Sequence, residues 1–321
     1  MNNLGSVLYA SRISHRTTAF FRLAPPRRSS HKFPGFLILP ILLIVSVGFF
    51  PSYFVAAATK SSCPPTPNPL TRTSQIWSGY AACKVDSTGT YVTISSVSGS
   101  WKIPKILSCD TTEDSLVFVW VGIDGASDLD SQSTTVEQVG TASKCLNGTI
   151  TYYAWYEYFV SNSGCFVKPI KDWTPNSGDS MDARLTANAG GTFTLSIMDT
   201  TINKPFSISS NSATDCNISS TPRATTAEWI LEVPSNHSVP DAEGVTFSGC
   251  SFTPQGGAAG SISSASGTAI FTLPLIPSAV PSDPSAAGDS FTISWVSQPG
   301  GNGGGGGFGC GTGESPRYCE A

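Results

Sequence analysis

The chain has 321 residues and a formal net charge of −4, from 18 basic and 22 acidic residues. Six of the basic residues lie before residue 33 and no acidic residue lies before residue 59, so the remainder carries 12 basic against 22 acidic groups, a net of −10. Because phosphate binding needs clustered Lys and Arg side chains, this balance argues against nucleic acid as a partner.

The N-terminal region has the layout of an export signal. Residues 1–35 are a basic leader without acidic side chains, and residues 36–58 form an uncharged, mostly apolar run that ends in three alanines. This layout is typical of a secretory signal peptide, so we expect a secreted protein. The alternative is an uncleaved membrane anchor with the rest of the chain outside, since the apolar run is long enough to span a bilayer.

The region from residue 75 to residue 299 consists of short strand-like segments separated by turn residues. It follows a Pro-, Ser- and Thr-rich linker at 59–74 and precedes a Gly-rich tail at 300–321, which we expect to be flexible. Residues 117–123 are apolar on both faces, which is typical of a covered central strand. Other β-branched and aromatic segments are 151–160, 191–198, 227–233, 268–273 and 290–296. Without convincing helical periodicity, this pattern predicts one all-β sandwich or jelly roll.

The nine cysteines all follow the apolar run, are widely spaced and form no CxxC pair. This spacing argues against a zinc ribbon or a thioredoxin-type site. In an exported protein the default interpretation is disulfide bonding, and the odd count leaves at least one thiol unpaired or bonded to another chain. Candidate N-glycosylation sites are Asn147, Asn217 and Asn236.

Histidine is scarce in the strand-rich region, which limits the available chemistry. Only His237 follows the apolar run, and the chain has neither a GxSxG nor an HExxH motif. A multi-histidine zinc site is excluded for lack of ligands, and a His-dependent triad has no supporting motif. The remaining candidate catalytic groups are carboxylates, amides and aromatic side chains.

Strand alternation places glutamates among aromatic residues on two segments. In TYYAWYEYFV, Glu157 lies on the same face as Trp155, and in AEWILEV, Glu228 and Glu232 share one face. Aromatic walls desolvate a carboxylate and raise its pKa, which is how a general acid or base is tuned. The two strands are therefore a plausible cleft floor. The alternative is that Glu157 and Glu232 are solvent-facing residues of a half-buried sheet.

Several motifs, taken in order, resemble the glutamic peptidase family (eqolisin, peptidase G1) over residues 77–295. They are WSGY from Trp77, VxGxWxIP from Val97, WVGIDG from Trp120, EQVGT from Glu137, YAWYE from Tyr153 and TAEWILE from Thr226. The combination is specific, whereas each motif alone is weak. The resemblance implies a curved, concanavalin-like sandwich of two antiparallel sheets with an active site on the concave face, in agreement with the all-β prediction.

The resemblance implies an acid endopeptidase with two catalytic side chains, Glu228 and Gln138. The glutamate would activate a water and later protonate the leaving amine, and the glutamine would stabilise the oxyanion. Gln138 is preferred to Gln132 because a short strand-like run and Gly140 follow it. The supporting residues would be Trp77, Trp120, Asp124, Trp155 and Glu157. No metal or cofactor is needed, and we expect a monomer that binds protein or peptide substrates.

Two other functions remain as alternatives. A glycoside hydrolase on a jelly-roll sandwich would use two carboxylates, such as Glu157 and Glu228, across an aromatic cleft. A non-catalytic, lectin-like carbohydrate-binding module would use Trp120 and Trp155 as stacking platforms. A degenerate family member would lose Glu228 or Gln138. Both are present, which favours an active peptidase.

Overall fold

The structure is a computed structural model that describes residues 63, 69–161, 163, 165–275 and 277–296. The predicted leader, apolar run and Gly-rich tail lie outside the described residues. The predicted linker lies largely outside them too, but its last residues, Leu70–Thr73, form a strand. Among the described residues, no helix has both the length and the apolar character needed to cross a membrane.

The described chain folds almost entirely as β-strands with short turns. The strands are β1 Leu70–Thr73, β2 Trp77–Cys83, β3 Ile94–Lys102, β4 Asp114–Ile123, β5 Thr135–Leu146, β6 Thr149–Val160, β7 Lys168–Pro169, β8 Ser180–Ala187, β9 Phe193–Asp199, β10 Lys204–Ser210, β11 Thr226–Glu232, β12 Val245–Pro254, β13 Gly267–Thr272, β14 Ser278–Pro281 and β15 Phe291–Val296. The two helical elements are α1 at Ser212–Cys216 and a 3₁₀ turn at Ile262–Ser264. All six segments predicted as strands from the sequence overlap observed strands, whereas α1 is too short to give a periodic signal.

The strands form two sheets that pack as a sandwich. The first sheet has the order β1-β13-β2-β11-β4-β5-β6-β7, and the second has the order β10-β9-β8-β3-β12-β15-β14. The pairing is antiparallel throughout, except that β1 runs parallel to β13. The prediction of an all-β, two-sheet antiparallel sandwich is therefore confirmed.

The first sheet is buried on both of its faces. On β11, Trp229 and Leu231 belong to the main core between the two sheets, whereas Ile230 belongs to a second apolar cluster on the opposite face. The same alternation on β4 places Val119 in the main core and Trp120 in the second cluster. The predicted covered central strand at 117–123 is confirmed, since β4 lies between β11 and β5.

Three disulfide bonds cross-link the described part of the chain. They join Cys63 to Cys83, Cys109 to Cys145 and Cys165 to Cys216. Cys250 is buried and unpaired among the described cysteines. The prediction that most cysteines form disulfides is confirmed for six of the seven described ones, and the bonds constrain the unfolded chain most where the closed loop is longest.

Candidate active site

A cleft of about 260 Å³ opens on the face of the first sheet that points away from the main core. Its polar side chains on the strands are Gln138 on β5, Glu157 on β6 and Glu232 on β11, and Ser163, Ser235 and Asn236 from the loops also line it. Its walls are largely aromatic and include Trp77, Phe118, Trp155, Phe159 and Phe166. The cleft therefore holds two carboxyl groups and two amides between largely apolar walls.

The Gln138–Glu157 pair is positioned by a β-hairpin. Strands β5 and β6 are joined by Asn147 and Gly148, whose φ angles of 50° and 76° are the left-handed backbone that an Asn-Gly turn favours. This two-residue turn sets a register in which Gln138 lies directly opposite Glu157. The Gln138 Nε2 donates a hydrogen bond to Glu157 Oε2 at 2.7 Å.

Glu157 is a buried acid without a cationic partner. Its side chain is 7 % exposed, and none of the ion pairs among the described residues includes it. Burial, and after it the nearby Glu232 carboxyl, raise the pKa of Glu157 to about 8 against the opposing effect of the hydrogen bond from Gln138. In neutral solution Glu157 therefore retains its proton more readily than an ordinary glutamate.

Glu232 lies at the end of β11 and is partly exposed to the cleft. The Trp120 indole Nε1 donates a hydrogen bond to Glu232 Oε2 at 2.9 Å. Burial raises the pKa of Glu232 to about 7, and the Trp120 hydrogen bond and the nearby Trp77 indole limit the rise because they favour the charged form. Of the two cleft carboxyls, Glu232 therefore has an indole N–H donor that favours its charged form, whereas Glu157 faces the Glu232 carboxyl, which disfavours a second charge.

Glu228 lies on the same strand as Glu232 but does not line the cleft. Its side chain is 0 % exposed, beside Thr226 and the backbone of Ala126, and burial raises the pKa of its carboxyl well above the ordinary value. The charges of Asp124 and Glu137 add to this shift. The structure therefore places the Glu228 carboxyl, for which a catalytic role was predicted, in a sealed position outside the cleft.

Asp124, predicted as a supporting residue, has a structural role at the end of β4. Its carboxylate accepts backbone N–H groups from Arg223, Ala224 and Thr225 at 2.6–2.8 Å. Asp130 accepts a 2.6 Å hydrogen bond from Arg223 Nε and a 2.7 Å hydrogen bond from the Thr225 hydroxyl. These contacts tie the segment before β11 to the loop after β4. We refer to Asp124, Asp130, Glu137 and Glu228 as the buried acid cluster.

The remaining predicted site residues differ in whether they line the cleft. Trp77 and Trp155 line the cleft, as does Glu157, whereas Trp120 is fully buried beneath it and acts as a hydrogen-bond donor to Glu232. Gln132, the alternative to Gln138, is exposed and does not line the cleft.

Glu232 lines the cleft, although the sequence analysis gave it no catalytic role. The signal available for it was its position on the same strand face as Glu228, four residues further along the AEWILE motif. Among the described residues, no three His, Cys, Asp or Glu side chains are grouped so that they could hold a metal ion.

Comparison with known proteins agrees with this architecture. Residues 75–295 match the sequence profile of the Peptidase A4 family. A scytalido-glutamic peptidase solved with a transition-state analog inhibitor is 23 % identical and has a TM-score of 0.52 over 69 % of this chain and 98 % of that chain. SCP-B, a member of the eqolisin family solved with the tripeptide Ala-Ile-His, is 24 % identical, with a TM-score of 0.48 over 69 % and 98 % of the two chains. Aspergilloglutamic peptidase from Aspergillus niger is 24 % identical, with a TM-score of 0.42 over 56 % and 99 %. No curated protein matches the chain.

Proposed function

Because the chain belongs to the Peptidase A4 family and is a peptide-bond hydrolase, we propose that it is a secreted glutamic endopeptidase that uses Glu232 and Gln138. The observation that carries this assignment is the convergence of Gln138, Glu157 and Glu232 in one aromatic cleft. Glu232 takes the role that the sequence assigned to Glu228, because Glu232 reaches the cleft and Glu228 is sealed away from it.

The proposed reaction needs one general base and one hydrogen-bond donor. Ionised Glu232 takes a proton from a water molecule as the water oxygen attacks the carbonyl carbon of the scissile peptide. The Gln138 amide donates an N–H to the oxygen that becomes negatively charged. Glu232 then returns the proton to the amide nitrogen as the carbon–nitrogen bond breaks, which leaves a free carboxyl and a free amine.

The cleft favours peptides with large apolar side chains. Its walls are formed by Trp77, Phe118, Trp155, Phe159 and Phe166, and its carboxyl groups are those of Glu157 and Glu232. Burial of apolar surface contributes about 25 cal/mol per Å², so an apolar side chain gains most by entering such walls. We therefore propose protein or peptide substrates cut next to bulky apolar residues.

Secretion is supported by two independent features. The three disulfide bonds are typical of a protein that folds in an oxidising compartment. The basic leader and the apolar run of the sequence have the layout of an export signal. Expression of the full chain in a secreting host, followed by N-terminal sequencing of the mature protein, tests this part; retention of the whole chain in the membrane would contradict it.

The catalytic assignment is tested by a pair of matched variants. Hydrolysis of a denatured protein by the purified enzyme is measured from about pH 2 to about pH 8, the range over which carboxyl groups such as these titrate. Glu232→Gln is expected to lower kcat about 10²–10⁴-fold, the usual contribution of a general base. Glu228→Gln, on the same strand, is expected to retain most of the activity.

The two variants must have thermal unfolding curves similar to that of the parent, so that activity is compared between folded proteins. Full activity of Glu232→Gln, or loss of activity in a folded Glu228→Gln, would contradict the assignment. A folded parent enzyme without any proteolytic activity across the pH range would contradict the proposed function as a whole.

A further inference from the structure

The two polar atoms of the Gln138 amide differ in hydrogen bonding: the nitrogen has a partner, whereas the oxygen has none among the described residues. Its Nε2 donates to Glu157 Oε2 at 2.7 Å. Its Oε1 is buried and has no hydrogen-bond partner among the described residues. A buried amide oxygen without a hydrogen-bond partner destabilises the folded state, so a donor for this atom is expected nearby.

Whether Gln138 Oε1 has a hydrogen-bond donor depends on the protonation state of Glu157. An ionised carboxylate only accepts hydrogen bonds, so it would leave Gln138 Oε1 unpaired and next to a negative charge. A protonated carboxyl has one acceptor and one O–H donor, and a primary amide has the complementary pair. Two parallel hydrogen bonds then join the groups, using the Nε2 hydrogen on the same side as Oε1 and leaving the other Nε2 hydrogen free.

The surroundings of Glu157 favour the protonated form. On β5 it faces the neutral Gln138, and across the cleft on β11 it faces Glu232, which repels a second negative charge. The nearest strand on the other side, β7, carries Lys168, but that side chain is opposite Tyr156 and is ion-paired with Asp215 at 2.7 Å. No described cation therefore compensates a charge on Glu157.

We propose that Glu157 acts as a protonated positioning residue: it holds the Gln138 amide by two hydrogen bonds and so presents the remaining Nε2 hydrogen to the cleft. The inference rests on the proposed function, because that free hydrogen is the donor to the oxyanion. Without that proton, Glu157 cannot donate to Gln138 Oε1, so one hydrogen bond instead of two holds the amide and its remaining Nε2 hydrogen is less firmly directed at the oxyanion.

The two cleft carboxyls then act in opposite protonation states. Glu232 must be charged to accept a proton from water, whereas Glu157 must be neutral to orient the amide. Pairs of acids whose surroundings separate their titrations are a common means of dividing such roles. The rate then falls on the acid side when Glu232 gains a proton and on the alkaline side when Glu157 loses its proton.

The test compares Glu157→Gln with Glu157→Ala. A glutamine at this position has both an acceptor and a donor, so it can hold the Gln138 amide without a titrating proton. We expect Glu157→Gln to retain a higher kcat than Glu157→Ala near neutral pH and to lack the alkaline fall of kcat that is expected of the parent enzyme. Glu157→Ala frees the amide and is expected to lower kcat about 10–100-fold with little change in KM, up to the loss of one oxyanion donor.

A spectroscopic measurement gives a readout independent of activity. Infrared difference spectra of Glu157→Gln against the parent, near neutral pH, are expected to show loss of one protonated-carboxyl band. Glu228→Gln, which removes a buried acid outside the cleft, is the control that should keep the alkaline fall of kcat.

The outcomes separate this inference from the proposed function. Inactive but folded Glu157→Gln would show that an ionisable group is required at this position and would overturn the positioning role. An alkaline fall that persists in Glu157→Gln, or no change in the carboxyl band, would overturn it as well. Failure of the proposed function is recognised differently, by full activity of Glu232→Gln or by an inactive parent.

Discussion

Strand β11 carries two glutamates four residues apart on one face, and they have opposite surroundings. Glu232 borders the cleft and accepts a hydrogen bond from the Trp120 indole. Glu228 is sealed at the other end of the strand, within the buried acid cluster. The two side chains have the same chemistry and the same orientation on the sheet. Access to substrate and the neighbouring groups therefore decide which of them can be catalytic.

The loop after β4 produces this difference. Residues 124–133 follow β4 and include Ala126, which lies over Glu228. Asp124 and Asp130 fasten the segment before β11 to this loop by accepting hydrogen bonds from Arg223 and Thr225. No comparable cover lies over Glu232 in the described part of the chain, where the cleft opens instead. One end of the sheet face is therefore covered by the loop after β4, and the other end opens into the cleft.

The largest effect after the loss of Glu232 is expected from Gln138→Ala. This change removes the proposed oxyanion donor and should lower kcat about 10²–10³-fold, the usual cost of one such group. Gln132→Ala, in the exposed part of the covering loop, is the matched control and should have little effect. Steady-state kinetics on a defined peptide measures kcat for both variants. An equal loss of kcat in the two would contradict the assignment of the oxyanion donor to the cleft residue rather than to the loop residue.

The buried acid cluster is expected to limit stability as the pH rises. Burial raises the pKa of Glu228 and of Glu137 well above their ordinary values, so the folded state binds protons that the unfolded state releases. The stabilisation is full below the unfolded pKa of about 4.3 and is lost as the pH rises through the folded pKa. We expect the free energy of unfolding to fall as the pH rises above about 4, the range in which the unfolded carboxyls release their protons.

Glu228→Gln removes one of these titrations and should reduce that fall. At neutral pH the variant is expected to be more stable than the parent, because glutamine has no proton that the unfolded chain would release. Urea unfolding at several pH values measures the effect, with exposed Glu243→Gln as the control. A parent whose stability increases steadily with pH would contradict the role assigned to the cluster.

The smallest effect is expected from Phe166→Ala at the cleft wall. Phe166 is 63 % exposed and follows Cys165, which is disulfide-bonded to Cys216. Part of this apolar surface is covered when an apolar substrate side chain binds, so the variant should raise KM about 3–10-fold with little change in kcat. Phe166→Leu should have a smaller effect. A pure loss of kcat would indicate that Phe166 positions the catalytic groups instead.

The sequence by itself determined the strands, their two faces and half of the candidate site. The alternation in TYYAWYEYFV and AEWILEV correctly separates core-facing from cleft-facing side chains, since successive side chains of a strand point to opposite faces. The Asn147-Gly148 turn is a local signal, and it fixes the hairpin register that places Gln138 opposite Glu157.

Only the tertiary structure distinguishes the surroundings of Glu228 from those of Glu232. Both lie on one strand face, so no periodicity distinguishes them, and the motif resemblance favoured the sealed one. Their surroundings come from residues distant in sequence: Ala126 and Asp124 around Glu228, and Trp77 and Trp120 beside Glu232. Solvent access and pKa depend on these long-range contacts, because desolvation is a property of the packed environment rather than of the residue.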